Sequence, residues 1–152
     1  MSQYKSQLKD ISWIKKDIKI AFITAEFNKH YTEALETINI DFLKEQGFKN
    51  TSSFYVPWAF EIPWMLKRVL KLKKYDLIIT FGVVIRWETP HFDYVCGESA
   101  RAIMNITVKN KTPIIFGILT CNTEKQVEER ISPTYAISGL NLIAECAKLK
   151  DK

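Results

Sequence analysis

Glycine and proline are scarce in this sequence, with five residues of each among 152. Such low numbers exclude collagen-like and low-complexity chains. The longest apolar run, residues 76–85, has about half of the roughly 20 residues that a membrane helix needs. No basic segment followed by an apolar one opens the chain, so export is not expected. These absences predict a cytoplasmic protein with no membrane partner.

Cysteine is also rare and is not arranged in any metal-binding or redox pattern. Cys96, Cys121 and Cys146 make an odd count without C-x-x-C spacing, which favours reduced thiols over a disulfide framework. A thiol nucleophile is not indicated. His30 has no partner at ligand spacing, so no metal is predicted. Neither G-x-G-x-x-G nor a P-loop is present, which argues against a dinucleotide or nucleoside triphosphate site.

What the sequence does contain is typical of one compact domain. Hydrophobic residues make up 47% and charged residues 26% of the chain. Lys and Arg (22) exceed Asp and Glu (17), giving a net charge of +5 that permits an anionic partner. The densest basic cluster, within residues 67–74, falls on a predicted helix and lacks any recognition motif. We therefore interpret it as a solvated helix face and expect no nucleic-acid partner.

Apolar runs alternate with amphipathic segments along most of the chain. Strands are predicted at 18–25, 53–56, 75–85 and 114–120, and helices at 29–46, 63–72, 90–108, 124–130 and 135–150. Continuously apolar strands that are each followed by a helix indicate a parallel sheet covered on both faces. The prediction is a three-layer α/β/α sandwich with strand order 2-1-3-4, as in flavodoxin-like proteins. Residues 1–17 lack periodicity and form a separate N-terminal arm, either frayed or paired with something outside the domain of residues 18–152.

Ligands of open parallel sheets bind beyond the carboxyl ends of the strands. Phe27 follows the first strand, and the second is followed by Phe60 and Glu61. The two rings could sandwich a planar group, and the carboxylate could accept hydrogen bonds from sugar hydroxyls. Taken singly, however, both phenylalanines are more typical of a core than of a ligand platform, and Glu61 could merely cap a helix.

The end of the third strand carries further candidates. Glu88 and Thr89 lead into a helix, where backbone N–H groups can bind a phosphate. His91 suits proton transfer near neutral pH, although a lone histidine at a helix start is more often a surface residue than a catalyst. Asp93 could cap the helix, and Arg130 could pair with the glutamates beside it.

Four segments at these strand ends resemble the lumazine synthase family. They are AEFN at 25–28, VPWAFEIP at 56–63, GVVIRWETPHFDYV at 82–95, and PIIFGILT at 113–120, which is followed by Glu129-Arg130. The resemblance runs from about residue 18 to 130, and the third-strand motif is the most specific part. It implies condensation of 5-amino-6-(D-ribitylamino)uracil with 3,4-dihydroxy-2-butanone 4-phosphate to 6,7-dimethyl-8-ribityllumazine, the penultimate step of riboflavin biosynthesis. No cofactor and no metal take part.

The resemblance also implies roles for individual residues. For the ribitylaminouracil these are stacking by Phe27, ribityl contacts from Ala59, Phe60 and Glu61, and backbone contacts from Val83, Val84 and Ile85. The main chain of Glu88 and Thr89 would meet the phosphate, and His91 would shuttle protons. Phe116 and Arg130 would come from a neighbouring subunit, with Arg130 pairing with the phosphate. Phe116 lies early in the fourth strand, too far from that strand's carboxyl end to serve its own subunit.

Oligomer formation is a further expectation from the resemblance. Family members assemble as homopentamers, in some cases with a dozen pentamers closing an icosahedral shell, and an association with riboflavin synthase is compatible with the resemblance. The N-terminal arm would add a strand to a neighbour's sheet.

Four positions depart from the family pattern. Trp58 and Trp87 replace usual glycines, Ser138 replaces a phosphate-binding lysine, and Asn141 replaces an acid that supports the histidine. Two other hypotheses therefore stay open: a non-catalytic relative that forms shells or binds flavin or lumazine, and an unrelated flavodoxin-like binding module.

Overall fold

The computed structural model describes residues 6–149 and has one four-stranded, all-parallel sheet in the order β2-β1-β3-β4. The strands are β1 (Ile20–Ala25), β2 (Thr51–Val56), β3 (Leu77–Ile85) and β4 (Ile114–Cys121). The helices are α1 (Lys29–Glu45), α2 (Ile62–Lys71), α3 (His91–Thr107), α4 (Glu124–Glu128) and α5 (Thr134–Ala147), with a 3-10 turn at Ala59–Glu61. The predicted fold class and strand order are confirmed.

Apart from Thr24 and Thr80, the two central strands are apolar, because both of their faces are buried. Phe22 and Phe81 stack 5.9 Å apart in the core beneath α1 and α5. Ile23 and Ile78 belong to the second core, beneath α2 and α3. Each face therefore has its own hydrophobic layer, as expected for a sheet with helices on both sides.

The difference in length between β1 and β3 creates the crevice at the carboxyl end of the sheet. The last residue pair between these strands is Thr24 with Phe81, whereas β3 continues alongside β4 as far as Ile85. Neighbouring residues of a parallel strand direct their N–H and C=O groups to opposite sides. Arg86 bonds to Cys121 of β4, so Ile85 directs its backbone groups to the side that β1 leaves uncovered.

The turn between β1 and α1 lies on this uncovered side. Asn28 has a left-handed backbone (φ 58°) and begins α1. Its side-chain amide donates to the backbone carbonyl of Val83 at 2.9 Å. This bond ties the start of α1 to the end of β3 and takes the place of a strand partner. At the other end of α1, Gly47 (φ 90°) stops the helix where the sequence predicts it.

The N-terminal segment is packed on the domain from residue 7 onward. Ile11 and Ile14 are buried in the α1–α5 core. Asn141 of α5 accepts a hydrogen bond from the Lys9 N–H (2.9 Å) and donates one to the Gln7 carbonyl (2.8 Å). The frayed alternative is therefore wrong for this stretch. Addition of a strand to a neighbour stays a prediction, and residues 1–5 lie outside the described residues.

Asn141→Ala is expected to loosen this segment by removing both of its amide bonds. Each such bond contributes about 1 kcal/mol, so the free energy of unfolding should fall by about 1–2 kcal/mol in a urea titration. The Lys9 amide should also lose its protection from hydrogen exchange. Asn105→Ala is the matched control, since Asn105 is exposed on α3 and makes no side-chain hydrogen bond among residues 6–149. Unchanged protection of Lys9 would contradict the prediction.

Candidate active site

A cavity of about 400 Å³ lies at the carboxyl ends of β1 and β3. Its walls come from the β1–α1 turn, the 3-10 turn, the end of β3, the start of α3 and the first residue of α4. The lining residues are Ala25, Phe27, Asn28, Trp58, Ala59, Val83, Val84, Ile85, Trp87, Thr89, His91, Phe92, Val95 and Glu124. This is the edge at which open parallel sheets bind their ligands.

The structure brings seven of the twelve predicted site residues together around this cavity. They are Phe27, Ala59, Val83, Val84, Ile85, Thr89 and His91. The other five do not line it: Phe60, Glu61, Glu88, Phe116 and Arg130. Asn28 and Glu124 also border the cavity, although the sequence did not single them out.

Phe60 does not form the expected sandwich with Phe27. Ala59 is buried within the 3-10 turn, so the next residue, Phe60, projects outward and is 53% exposed. Phe27 instead stacks on Trp58, with ring centroids 4.0 Å apart and planes within 18° of parallel. Aromatic packing between these two loops thus replaces the predicted pair.

The two tryptophans at usual glycine positions are not strained. Neither has a positive φ, and Trp58 is fully extended (φ −131°, ψ 162°). Both line the cavity, and the Trp58 indole meets the His91 ring edge-on at 6.2 Å. Their effect on the site is therefore one of space and contact.

Glu61 closes the 3-10 turn. One of its carboxylate oxygens accepts the Trp58 N–H at 2.9 Å, which is the capping alternative considered from the sequence. The second oxygen has no hydrogen-bond donor among residues 6–149. Glu61 can thus hold the backbone of Trp58 and still offer an acceptor.

The loop between β3 and α3 presents free backbone donors. The N–H groups of Trp87, Glu88 and Thr89 bond to no acceptor within residues 6–149. The Thr89 hydroxyl accepts the His91 N–H at 3.4 Å, at the first turn of a 17-residue helix. Unpaired amides and the positive end of a helix dipole together favour an anion such as phosphate.

Arg86 anchors the first turn of α3 to the sheet, a role that the sequence did not reveal. Its guanidinium bonds to both carboxylate oxygens of Asp93 (2.9 and 3.3 Å) and to Asn122 (3.1 Å). It also lies 4.2 Å from the centre of the Phe92 ring. Asp93 therefore pairs with Arg86 in addition to lying in the first turn of the helix. The sequence feature that could have predicted this pair is the presence of opposite charges seven residues apart across a loop.

Two of the three cysteines, Cys96 and Cys121, are unsuited to nucleophilic catalysis. Burial, followed by the charge of Asp93, raises the pKa of Cys96 to about 11. Burial also raises the pKa of Cys121. Because the thiolate is the reactive form, neither thiol is activated. Among residues 6–149 no group of three His, Cys, Asp or Glu side chains could hold a metal ion.

Phe116 and Arg130 lie on the β4 side of the sheet, outside the cavity. Phe116 is 41% exposed on β4, an edge strand. Arg130 follows α4, donates to the Gln126 carbonyl at 2.8 Å and lies 3.8 Å from Glu129. Both side chains are accessible to a second molecule, and their role in a neighbouring site stays a prediction.

Ser138 and Asn141 serve the N-terminal segment in this structure. Ser138 lies 3.3 Å from the Ser6 hydroxyl, and Asn141 holds the backbone of residues 7–9. Neither residue lines the cavity with His91.

Comparison with known families identifies one match that covers most of the chain. Residues 17–150 match the family model described as 6,7-dimethyl-8-ribityllumazine synthase. No helix within residues 6–149 is long and apolar enough to cross a bilayer.

Proposed function

Because the chain belongs to the 6,7-dimethyl-8-ribityllumazine synthase family, a transferase family of riboflavin biosynthesis, we propose that it condenses 5-amino-6-(D-ribitylamino)uracil with 3,4-dihydroxy-2-butanone 4-phosphate. The observation that carries the proposal is the convergence of Phe27, the free edge of β3, the β3–α3 amides and His91 on one cavity. A flat polar ring can bind at Phe27 and the β3 edge, and a phosphate can bind at the amides. His91 supplies the proton carrier.

The flat ring is expected to bind at the β3 edge. Phe27 offers an aromatic face, and the backbone N–H and C=O of Ile85 point to the side that β1 leaves open. A pyrimidinedione has donors and acceptors along one edge and can pair with backbone groups as a strand would. The second carboxylate oxygen of Glu61 is the proposed acceptor for the ribityl hydroxyls, together with the segment Ala59-Phe60.

The phosphate of the second substrate is expected to bind at the start of α3. The amides of residues 87–89 supply hydrogen-bond donors, and the helix dipole favours negative charge. His91, the first residue of this helix, is thereby placed next to the carbon skeleton attached to the phosphate. The proposed geometry holds the two reactants side by side above β3.

Few catalytic side chains are needed for this reaction. The arylamine condenses with the ketone and one water leaves, phosphate is eliminated, and the ribityl-bearing nitrogen then attacks the remaining carbonyl and closes the new ring with loss of a second water. Holding two reactants in position can contribute about 7–11 kcal/mol in favourable cases. His91 then carries protons between successive intermediates, a contribution of about 10²–10⁴-fold.

We further propose that the site is completed by a neighbouring subunit in a homopentamer. Among residues 6–149 no Lys or Arg side chain lines the cavity, although the substrate carries a phosphate dianion. Arg130 and Phe116 are accessible on the β4 side, so a ring of subunits would bring them to the cavity of the next copy.

Arg130→Ala is expected to raise the KM for the butanone phosphate by about 10- to 100-fold, since a charge-assisted bond contributes about 1.5–3 kcal/mol. The KM for the ribitylaminouracil should change little. Steady-state kinetics with one substrate varied at a time would measure both values. Arg68→Ala is the control, because Arg68 lies over Trp64 on α2, away from the cavity. An unchanged KM for the phosphate would remove Arg130 from this role.

A subunit-mixing experiment tests the shared site directly. His91→Ala and Arg130→Ala chains, each of low activity, are unfolded together and refolded in equal amounts. With sites shared between neighbours, about one site in four regains both native residues, and activity rises accordingly. A mixture no more active than its two components would contradict sharing.

A non-catalytic relative is the second candidate, and the Phe27–Trp58 stack favours loss of turnover because the indole covers a face that the substrate needs. The two functions are separated by incubating purified protein with both substrates and recording lumazine fluorescence. Formation of the product supports the synthase. Binding of the lumazine without its formation supports the second candidate.

A further inference from the structure

Trp58 lies between the two rings that the proposed reaction places closest to the heterocycle. Its indole stacks on Phe27 at 4.0 Å and meets His91 edge-on at 6.2 Å, and all three residues line the cavity. A third ring between Phe27 and Trp58 would need their separation to grow to roughly 7 Å, twice the contact distance of about 3.5 Å. The stack as it stands therefore has no room for a ligand.

We propose that Trp58 competes within the molecule for the face of Phe27, so that a heterocycle binds only after displacing the indole. This inference rests on the proposed function, because it concerns a flat ring that stacks on Phe27 and reaches His91. Trp58 thereby lowers the affinity of the site for such rings.

The ring that moves in this proposal is the Trp58 indole. Phe27 is fixed through its backbone, since its N–H donates to the Pro57 carbonyl at 3.0 Å and the preceding Glu26 N–H donates to Val56 at 2.8 Å. The Trp58 backbone is likewise held by Glu61. Its indole N–H, however, makes no hydrogen bond among residues 6–149, and the side chain is 42% exposed. Rotation of the indole out of the cavity breaks no hydrogen bond and loses the stack on Phe27 together with the edge-on contact with His91.

The size of the effect follows from the strength of such a stack. An aromatic pair contributes enough to bias an equilibrium by about 2- to 10-fold. Apparent affinity falls in proportion to the fraction of molecules whose site is open. Trp58→Ala should therefore lower the Kd of the ring by about 2- to 10-fold. Because the block acts before binding, most of the gain should appear as faster association.

The experiment uses 6,7-dimethyl-8-ribityllumazine as the probe and follows the probe's own fluorescence. Equilibrium titration gives Kd, and stopped-flow mixing gives the association and dissociation rates. The proteins are the wild type, Trp58→Ala and Trp58→Phe, whose smaller ring keeps an aromatic contact with Phe27. Trp64→Ala is the matched control. The Trp64 indole is exposed, its ring centre lies 3.4 Å from Cζ of Arg68, and it does not line the cavity.

Tighter binding by Trp58→Ala through faster association, with wild-type behaviour in Trp64→Ala and an intermediate value in Trp58→Phe, is the expected result. Weaker binding by Trp58→Ala would overturn the inference, since the indole would then be a ligand contact. Equal Kd values in wild type and Trp58→Ala would overturn it as well, while the binding itself would leave the proposed function standing. Absence of binding in every variant, including Trp58→Ala, would instead reject the proposed function.

Discussion

Replacing His91 with alanine is expected to lower kcat for lumazine formation by about 10²–10⁴-fold. His91 begins α3 and borders the cavity, and the Arg86–Asp93 pair holds this turn against the end of β3. Successive dehydration, elimination and ring-closure steps each need a proton moved. The His91 imidazole at the cavity wall is the group proposed to move these protons.

The KM values should change much less than kcat, because His91 contributes to the chemical steps more than to holding the reactants. Initial rates recorded by lumazine fluorescence would give both parameters. The chain offers a matched control in its other histidine. His30 is exposed on α1 and does not line the cavity, and its ring centre lies 3.8 Å from that of Tyr31. His30→Ala should retain wild-type rates, and a His91→Ala enzyme with wild-type kcat would exclude His91 as the proton carrier.

Gly117→Ala is expected to lower the free energy of unfolding by about 3 kcal/mol, because it overpacks the junction of β3 and β4. A methyl group at this position would press into the Thr80 carbonyl oxygen and lie 2.9 Å from Cδ1 of Phe81. Neither neighbour can yield easily. The carbonyl is part of the sheet, and the Phe81 ring is fully buried between Phe22 and Tyr135.

Urea unfolding at matched protein concentration would measure this loss, since assembly adds to apparent stability. Gly97→Ala is the control: it lies on α3 with no atom within 4 Å of the added methyl. Alanine is the better helix former, so Gly97→Ala should raise stability by up to about 1 kcal/mol. Equal stability of Gly117→Ala and wild type would show that the strands shift apart without cost.

The sequence was sufficient for the sheet order and for the location of the cavity. Parallel strands under helices are mostly apolar, so β1, β3 and β4 stand out from the helices, and their carboxyl ends necessarily share one edge. The third-strand motif was specific enough to identify the family. These features follow from the local pattern of apolar residues and from the geometry of parallel sheets, and both can be derived from one sequence.

The contacts that the sequence did not reveal depend on distances between loops. Trp58 stacks on Phe27 across 31 positions, and no periodicity links the two. The outward direction of Phe60 follows from a 3-10 turn that begins one residue earlier. Ile11 and Ile14 lie in an aperiodic segment, so their burial on α5 becomes visible only once that helix is in place.

The overhang of β3 beyond β1 has an evolutionary consequence. In the proposed function, recognition at that edge uses peptide groups, and every amino acid except proline supplies the same pair. Substitutions at Val83, Val84 or Ile85 can thus alter the shape of the walls while the donor and acceptor pattern is inherited unchanged. A protein built this way can carry large side chains such as Trp58 and Trp87 in the cavity wall and still offer the same backbone donors and acceptors to a ligand.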